Sequence, residues 1–242
     1  MEPLVDSEIE RILVVTAHPD DLDFGAGGTI AQWTAQGIAV SYCICTNGEQ
    51  GGVDPSVTRS QMKEIRRREQ TAAGVVLGVS DIHFLDYRDG TLAPTIALRK
   101  DIVRVIRQVR PQRMLIQSPE RNWNRLGASH PDHLAAGEAA IQAIYPDCGN
   151  PFAFEDLLHE EHLEPWSIKE AWVMMMAEGN DHHVDVTDTF HLKMQALAAH
   201  ASQVAHVEEL ETRVRDWGLK NGEAVGLPEG RLAESFKIVS LG

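Results

Sequence analysis

Apolar positions along the chain follow two rhythms, one of strands and one of helices. Arg11 to Ala17 (RILVVTA) is a near-continuous apolar run of strand length, as expected of a strand covered on both faces. A short polar turn follows, then GAGGTIAQWTAQG, in which Thr29 to Gln36 predicts a helix stopped by Gly37. Ile38 to Thr46 predicts a second strand, and TNGEQGGVDPS a glycine-rich loop. Val57 to Leu77 has the period of a long amphipathic helix ending at Gly78, and DIHFLDY that of a short strand. Thr95 to Arg110 predicts a helix with Ile102, Val103, Ile106 and Val109 on one face, closed by Pro111, before the strand RMLIQSP. The polar loop ERNWNRLGASHPDH then leads into a helix from His130 to Ile144. Beyond it the pattern weakens: Asp147 to Glu164 reads as irregular, IKEAWVMMMA as a strand, and Phe190 to His206 as a helix after HHVDVTDTF. In the last stretch of about 25 residues only SFKIVSL reads as a strand.

Regular alternation of strand and helix predicts an α/β fold: a Rossmann-like, doubly wound, mostly parallel sheet with helices on both faces. The 242 residues suit one domain, less patterned from about residue 147, with no internal repeat or linker. No apolar stretch approaches the roughly 20 residues that span a bilayer. The start, MEPLVDSEIER, lacks the basic and apolar regions of a secretory signal, so a cytoplasmic protein is expected. Lys and Arg number 22 against 36 Asp and Glu, a net charge of −14 that would repel a polyanion. This argues against nucleic acid or an anionic membrane as the main partner; a homo-oligomer is compatible with the composition. Three cysteines make no disulfide framework, and Cys43 and Cys45, two apart in a strand, are expected as buried thiols.

Ligands in such sheets sit beyond the carboxyl ends of the strands. The first strand ends in His18-Pro19-Asp20-Asp21, which with Asp23 delivers one imidazole and three carboxylates to that place. Such a group is costly to pack without a cation, although Asp residues also cap helices. A second group, Ser129-His130-Pro131-Asp132-His133, opens a helix; Ser129 with Asp132 fits a capping box and Pro131 the first turn. The two histidines, three apart on one face, have no such structural account. Catalytic zinc commonly takes three His or carboxylate ligands and leaves one position open. Bound zinc lowers the pKa of water from about 15.7 to near 7. A neighbouring carboxylate can then take a proton, and an imidazole can stabilise an oxyanion. The two groups together hold residues for each of these roles.

The run AHPDD with GAGGTIA, then TNGEQGG, Arg66-x-x-Glu69 leading to LGV, FLDYRDG and finally SHPDH, resembles the LmbE/PIG-L family of amide deacetylases. The resemblance covers roughly Ile12 to Ile144. It implies that His18, Asp21 and His133 bind Zn²⁺, with Fe²⁺ as an ion the same ligands suit. It implies that Asp20 is the general base, that His130 polarises the carbonyl oxygen, and that Asp132 orients an imidazole. Arg66 and Asp89 match positions that touch the sugar in some members. The reaction implied is removal of the acetyl group from an N-acetylglucosamine-type sugar or its conjugate. Where the family usually has Glu after HPDD this chain has Leu22, followed by Asp23, the next carboxylate to consider as base. Other zinc amidases, and a non-catalytic sugar or nucleotide sensor, are the rival classes.

Three further motifs have blander readings. Gly25-Ala26-Gly27-Gly28 loosely matches a dinucleotide fingerprint, but HPDD would set anions where a pyrophosphate binds, so close helix–strand packing is expected. His159-Glu-Glu-His162 lacks the zincin spacing and reads as solvated surface. His182 and His183, between a strand and a helix, read as a polar turn or as a loop that overhangs the site, and Trp123 and Asn124 as residues of a loop that could cover the site.

Overall fold

Five apolar runs pair side by side in parallel in the computed structural model, which describes residues 3–123, 126–176 and 178–241. They are β1 (Arg11–Thr16), β2 (Ala39–Thr46), β3 (Asp81–Tyr87), β4 (Arg113–Gln117) and β5 (Glu170–Met174). The C-terminal part adds β6 (His182–Asp185) and β7 (Ala233–Ser240), giving the order β3-β2-β1-β4-β5-β7-β6. Only β7 runs against its neighbours. The expected doubly wound, mostly parallel sheet is therefore present.

Central β1 shows why its sequence is apolar throughout. Leu13 and Val15 pack on one face with Ile102 and Ile106 of α3 (Ile96–Val109) and Ala135 and Ala139 of α4 (Pro131–Gln142). Ile12 and Val14 pack on the other with Leu22 and Ile30 of α1 (Asp21–Ala35) and Ala73 of α2 (Arg59–Val76). Each such Leu, Ile or Val side chain contributes about 1.5–3 kcal/mol by leaving water. Thr58 caps α2 reciprocally with Gln61, so that helix starts at Arg59, two residues later than the apolar pattern suggested. Cys43 and Cys45 are buried free thiols, as expected.

The largest departure lies in α1, which starts at Asp21 and not at Thr29, so the glycines lie inside it. A Cβ on Gly25 would stand 2.6 Å from Met174 Sδ, and one on Gly28 2.6 Å from Val186 Cβ. These glycines serve close packing, as their sequence suggested. Glu234 of β7 meets α1 at Thr29, where the sequence had placed the helix start. Its carboxylate accepts from Gly28 N (3.0 Å), Thr29 N (2.8 Å) and Thr29 Oγ1 (2.6 Å), like a capping group inserted in mid-helix. Lys193 Nζ pairs with that carboxylate at 2.6 Å and donates to the Phe24 carbonyl at 2.7 Å. Gly28 N–H and Phe24 C=O are ordinary ladder partners in a helix, and here each has a partner from this buried ion pair. Gly28→Ala is expected to lower stability by about 1–3 kcal/mol, overpacking at Val186 outweighing the helix propensity gained. A urea midpoint unchanged from wild type would contradict it.

The C-terminal part is more ordered than its sequence suggested. α5 (Glu155–His159) interrupts the stretch expected to be irregular. The helix expected over Phe190 to His206 is two, α6 (Phe190–Ala199) and α7 (Ala201–Val204), broken at His200. α8 (Leu210–Ala224) had no clear sequence signal. His182 and His183 open strand β6 at the sheet edge and do not form a polar turn: His182 stacks on Trp172 and His183 Nδ1 meets Ser235 Oγ at 2.9 Å. That edge lies four strands from β1, on the order of 19 Å at normal spacing, so the pair does not overhang the end of β1. His159 to His162 is exposed, as expected.

Candidate functional site

Strand order reverses between β1 and β4, and the crevice at their carboxyl ends holds the residues of both histidine motifs. Gln117, at the end of β4, accepts from Ala17 N at 2.8 Å and fixes the chain as it leaves β1. Asp21 Oδ2 then accepts from His18 N at 2.7 Å, closing the turn that presents both side chains.

The two edges of the His18 ring face different groups. Nδ1 lies 3.3 Å from Asp21 Oδ2 and 3.2 Å from His133 Nε2, and His133 Nε2 lies 2.9 Å from Asp21 Oδ1. Tetrahedral ligands at 2.0–2.1 Å from Zn²⁺ stand roughly 3.3 Å apart, so these three donors have the spacing of a shared ion. The other edge, Nε2, lies 3.0 Å from Asp89 Oδ1 and 3.3 Å from Asp132 Oδ2. A carboxylate behind the second nitrogen fixes the tautomer with a lone pair on Nδ1, the usual support for a metal-binding imidazole.

Two other groupings bring ligand atoms within 4.8 Å: His18 with His130 and His133, and His18 with Asp89 and Asp132. In the second, both Asp132 oxygens already accept backbone N–H groups, from Gly90 (2.7 Å) and Leu92 (3.1 Å), and Asp89 Oδ2 accepts from Gln50 N (2.8 Å). Those carboxylates are built to hold the imidazole. In the first, His130 is the N-cap of α4, its Nδ1 accepting from Asp132 N at 3.2 Å. Its exposed ring meets His18 edge-on at 4.8 Å between centroids, at the open side of the cluster. Ser129 therefore does not cap α4 as its sequence suggested; its hydroxyl holds Asn122 N at 2.7 Å.

Charge in the crevice favours a cation. Burial alone would lower the His18 pKa, yet Asp21, Asp132 and Asp89 push it up to about 12. The same carboxylates favour any cation placed among them. Asp21 is held well below the usual carboxylate range: burial opposes this, and His133 and His18 outweigh it. Burial and then its two imidazole neighbours lower the His130 pKa below that of a free imidazole.

Asp20 occupies the N-cap position of α1 in the left-handed region (φ 88°, ψ −26°), and its side chain makes no capping bond. A non-glycine residue there carries strain of about 1–3 kcal/mol, which its neighbours must offset. Burial raises its pKa to about 6 against the opposing Arg66, whose Nη2 lies 3.2 Å away. Arg66 also donates to the Pro19 carbonyl and is only 3% exposed. Asp89 is 5% exposed and clasped by Glu49 and Gln50 of the glycine-rich loop. The crevice thus gathers all eight residues singled out in the sequence. Asp23 stays apart from the ligand cluster, fully buried against His200 and Gln70. Trp123 is 82% exposed on its loop, and Asn124 lies outside the described residues.

Sequence reasoning missed Gln70 and His200. Gln70 had a signal: Met62, Arg66, Gln70 and Ala73 recur at helical spacing, so two polar residues fall on the buried stripe of α2.

The family described as PIG-L, GlcNAc-PI de-N-acetylase, matches residues 13–144. The chain is 34% identical over 236 residues to diacetylchitobiose deacetylase of Thermococcus kodakarensis, covering 96% of this chain and 84% of that protein. It is 31% identical over 217 residues to the probable N-acetyl-alpha-D-glucosaminyl L-malate deacetylase 2 of Bacillus anthracis, covering 85% and 87%. Among solved structures, N,N′-diacetylchitobiose deacetylase from Pyrococcus horikoshii with its inhibitor MPG superposes with a TM-score of 0.87 at 30% identity. The match covers 97% of this chain and 85% of that one.

Proposed function

The chain belongs to the PIG-L family of deacetylases, and from that premise we propose that it removes the acetyl group from an N-acetylglucosamine-type sugar or its conjugate. The observation that carries the reading is the triangle of His18 Nδ1, Asp21 and His133 Nε2, with sides of 2.9–3.3 Å and carboxylates behind the His18 ring. These three residues would hold Zn²⁺, or Fe²⁺ in its place, because imidazole and carboxylate donors with one open position suit either ion. When bound, such an ion supplies Lewis-acid chemistry, acidifying water and polarising a carbonyl.

The remaining steps belong to the protein. Asp20 takes the proton from the water that attacks the acetamido carbonyl carbon. A pKa near 6 suits a base that must be ionised at neutral pH and still give the proton up. His130, whose Nδ1 accepts from Asp132 N, donates a hydrogen bond from its other ring nitrogen to the carbonyl oxygen as negative charge gathers there. The C–N bond then breaks, Asp20 passes its proton to the amine nitrogen, and acetate and a free amino sugar leave. Asp132 and Asp89 hold the His18 ring throughout. Arg66 and Asp89 are also the proposed contacts to the sugar hydroxyls, through the edges not engaged with Asp20 and His18. Among the described residues no helix is long and apolar enough to cross a membrane, and the three free cysteines fit the proposed cytoplasmic location.

Protein purified without added metal should carry about one Zn²⁺ or Fe²⁺ per chain. It should release amine from N,N′-diacetylchitobiose or from inositol or malate conjugates of N-acetylglucosamine, lose that activity to a chelator and regain it with zinc. Background metal with no uptake of zinc would overturn the site, and metal uptake without amine release from any of these would overturn the substrate class.

A further inference from the structure

Behind Asp20 lies a line of three fully buried polar side chains, two of them absent from the motifs that mark the site. Asp20 N–H, in its left-handed turn, donates to Gln70 Oε1 at 2.8 Å. Gln70 Nε2 donates to Asp23 Oδ2 at 3.1 Å, and the same oxygen lies 2.8 Å from His200 Nε2. Gln70, Asp23 and His200 are each 0% exposed. Polar groups so deep in a core are costly unless paired, and an apolar filling would have packed as well.

The arrangement allows one orientation of the Gln70 amide. Asp20 N–H requires an acceptor and the Asp23 carboxylate requires a donor, so a flipped amide would set two donors and two acceptors face to face. His200 secures Asp23 in turn, from the break between α6 and α7. Glu69, the neighbour of Gln70, secures that break by accepting from Ser202 N and Ser202 Oγ, both at 2.7 Å. α2 therefore brackets Asp20 through successive residues of one face: Arg66 on its carboxylate, Gln70 on its N–H, and Glu69 on the segment carrying His200.

We propose that Gln70, Asp23 and His200 are positioning residues that hold the backbone of Asp20 in its left-handed turn and so aim its carboxylate at the attacking water. The inference rests on Asp20 being the base. Freed of the Gln70 acceptor, Asp20 relaxes toward the right-handed region and its carboxylate swings away. Asp21 is held by its own bonds to His18 N and His133, so metal binding does not depend on this line.

Gln70→Leu is expected to lower kcat roughly 10–100-fold, the scale of a small misplacement of a reacting group, with KM and metal content close to wild type. In an Asp20→Asn background the same substitution should change turnover less than about threefold, because the group it positions is already gone. Full, undiminished loss in that background, or loss of metal with Gln70→Leu, would reduce Gln70 to a support of the fold and overturn the inference. Should Gln70→Leu not fold, His200 serves: His200→Gln can still donate to Asp23 and is expected to keep most of kcat, whereas His200→Leu loses about tenfold. Equal kcat in those two variants would overturn it as well. Wild-type turnover by Asp20→Asn alone would instead remove the base assignment, and the inference with it.

Discussion

Asp20→Asn is expected to keep about one metal ion per chain and wild-type substrate affinity while turning over roughly 10²–10⁴-fold more slowly. The substitution is nearly isosteric, and Asn tolerates the left-handed backbone that Asp20 adopts at φ 88°. It removes the one property the reaction needs there, a carboxylate that can take a proton. Because the Asp20 side chain makes no bond to the α1 N-terminus, a loss of rate would not be a loss of helix capping. Metal analysis, a binding isotherm with slow or inhibitory sugar, and kcat on the same preparation separate the three quantities. A variant that keeps its metal and turns over like wild type would show that another group is the base. Asp23 is no substitute, since it is fully buried and held by His200 and Gln70.

His133→Ala and His130→Ala should fail in opposite ways, although the residues lie on one turn of chain. His133 Nε2 stands 2.9 Å from Asp21 and 3.2 Å from His18 Nδ1. Its loss should bring metal content to background after dialysis and abolish turnover. His130 should leave the metal in place and lower kcat by roughly 10²–10³, the usual effect of removing a donor to a developing oxyanion. One complication has a structural remedy. His130 also caps α4 through Nδ1, so His130→Ala loses about 0.5–2 kcal/mol of stability with the cap. His130→Asn keeps a good capping group while removing the imidazole, and the same fall in kcat in both would separate catalysis from capping. Equal metal loss from the His130 and His133 variants would mean that the two roles had been confused.

The parts of the fold legible in the sequence were those whose pattern is local. β1, β2, β4 and β5 announced themselves because a strand buried on both faces is largely apolar, as Ile12 to Val15 are, while edge strand β3 showed as a short run, DIHFLDY, with polar residues at both ends. Six residues of the crevice were legible because a strand end and a helix start deliver adjacent side chains to one place, whereas Arg66, in mid-helix, and Asp89 came only from the family resemblance. What stayed hidden depends on distant partners. α1 seemed to begin at Thr29 because Gly25, Gly27 and Gly28 precede it, and the residues that require those glycines, Met174, Lys193 and Val186, lie far along the chain. α8 buries only Val214 and Gly222, too little apolar face to register as a helix. Asp23 looked like one more carboxylate of the site until His200, from a broken helix, was seen to claim it.

Glu234 and His200 also set the order in which the site can be completed. The helix that carries Asp21 comes early in the sequence, yet its middle is held by a carboxylate 206 residues later in the chain. Asp23 waits for an imidazole 177 residues later. Contacts of such separation form late, after the long loop between them has closed. A nascent chain ending at residue 144 would contain every residue of the metal cluster and the whole stretch that matches the family. It would still lack both clamps on α1. The donors of the metal cluster all lie within residues 18–133, whereas a clamped α1 and a fixed Asp20 turn require synthesis through to β7.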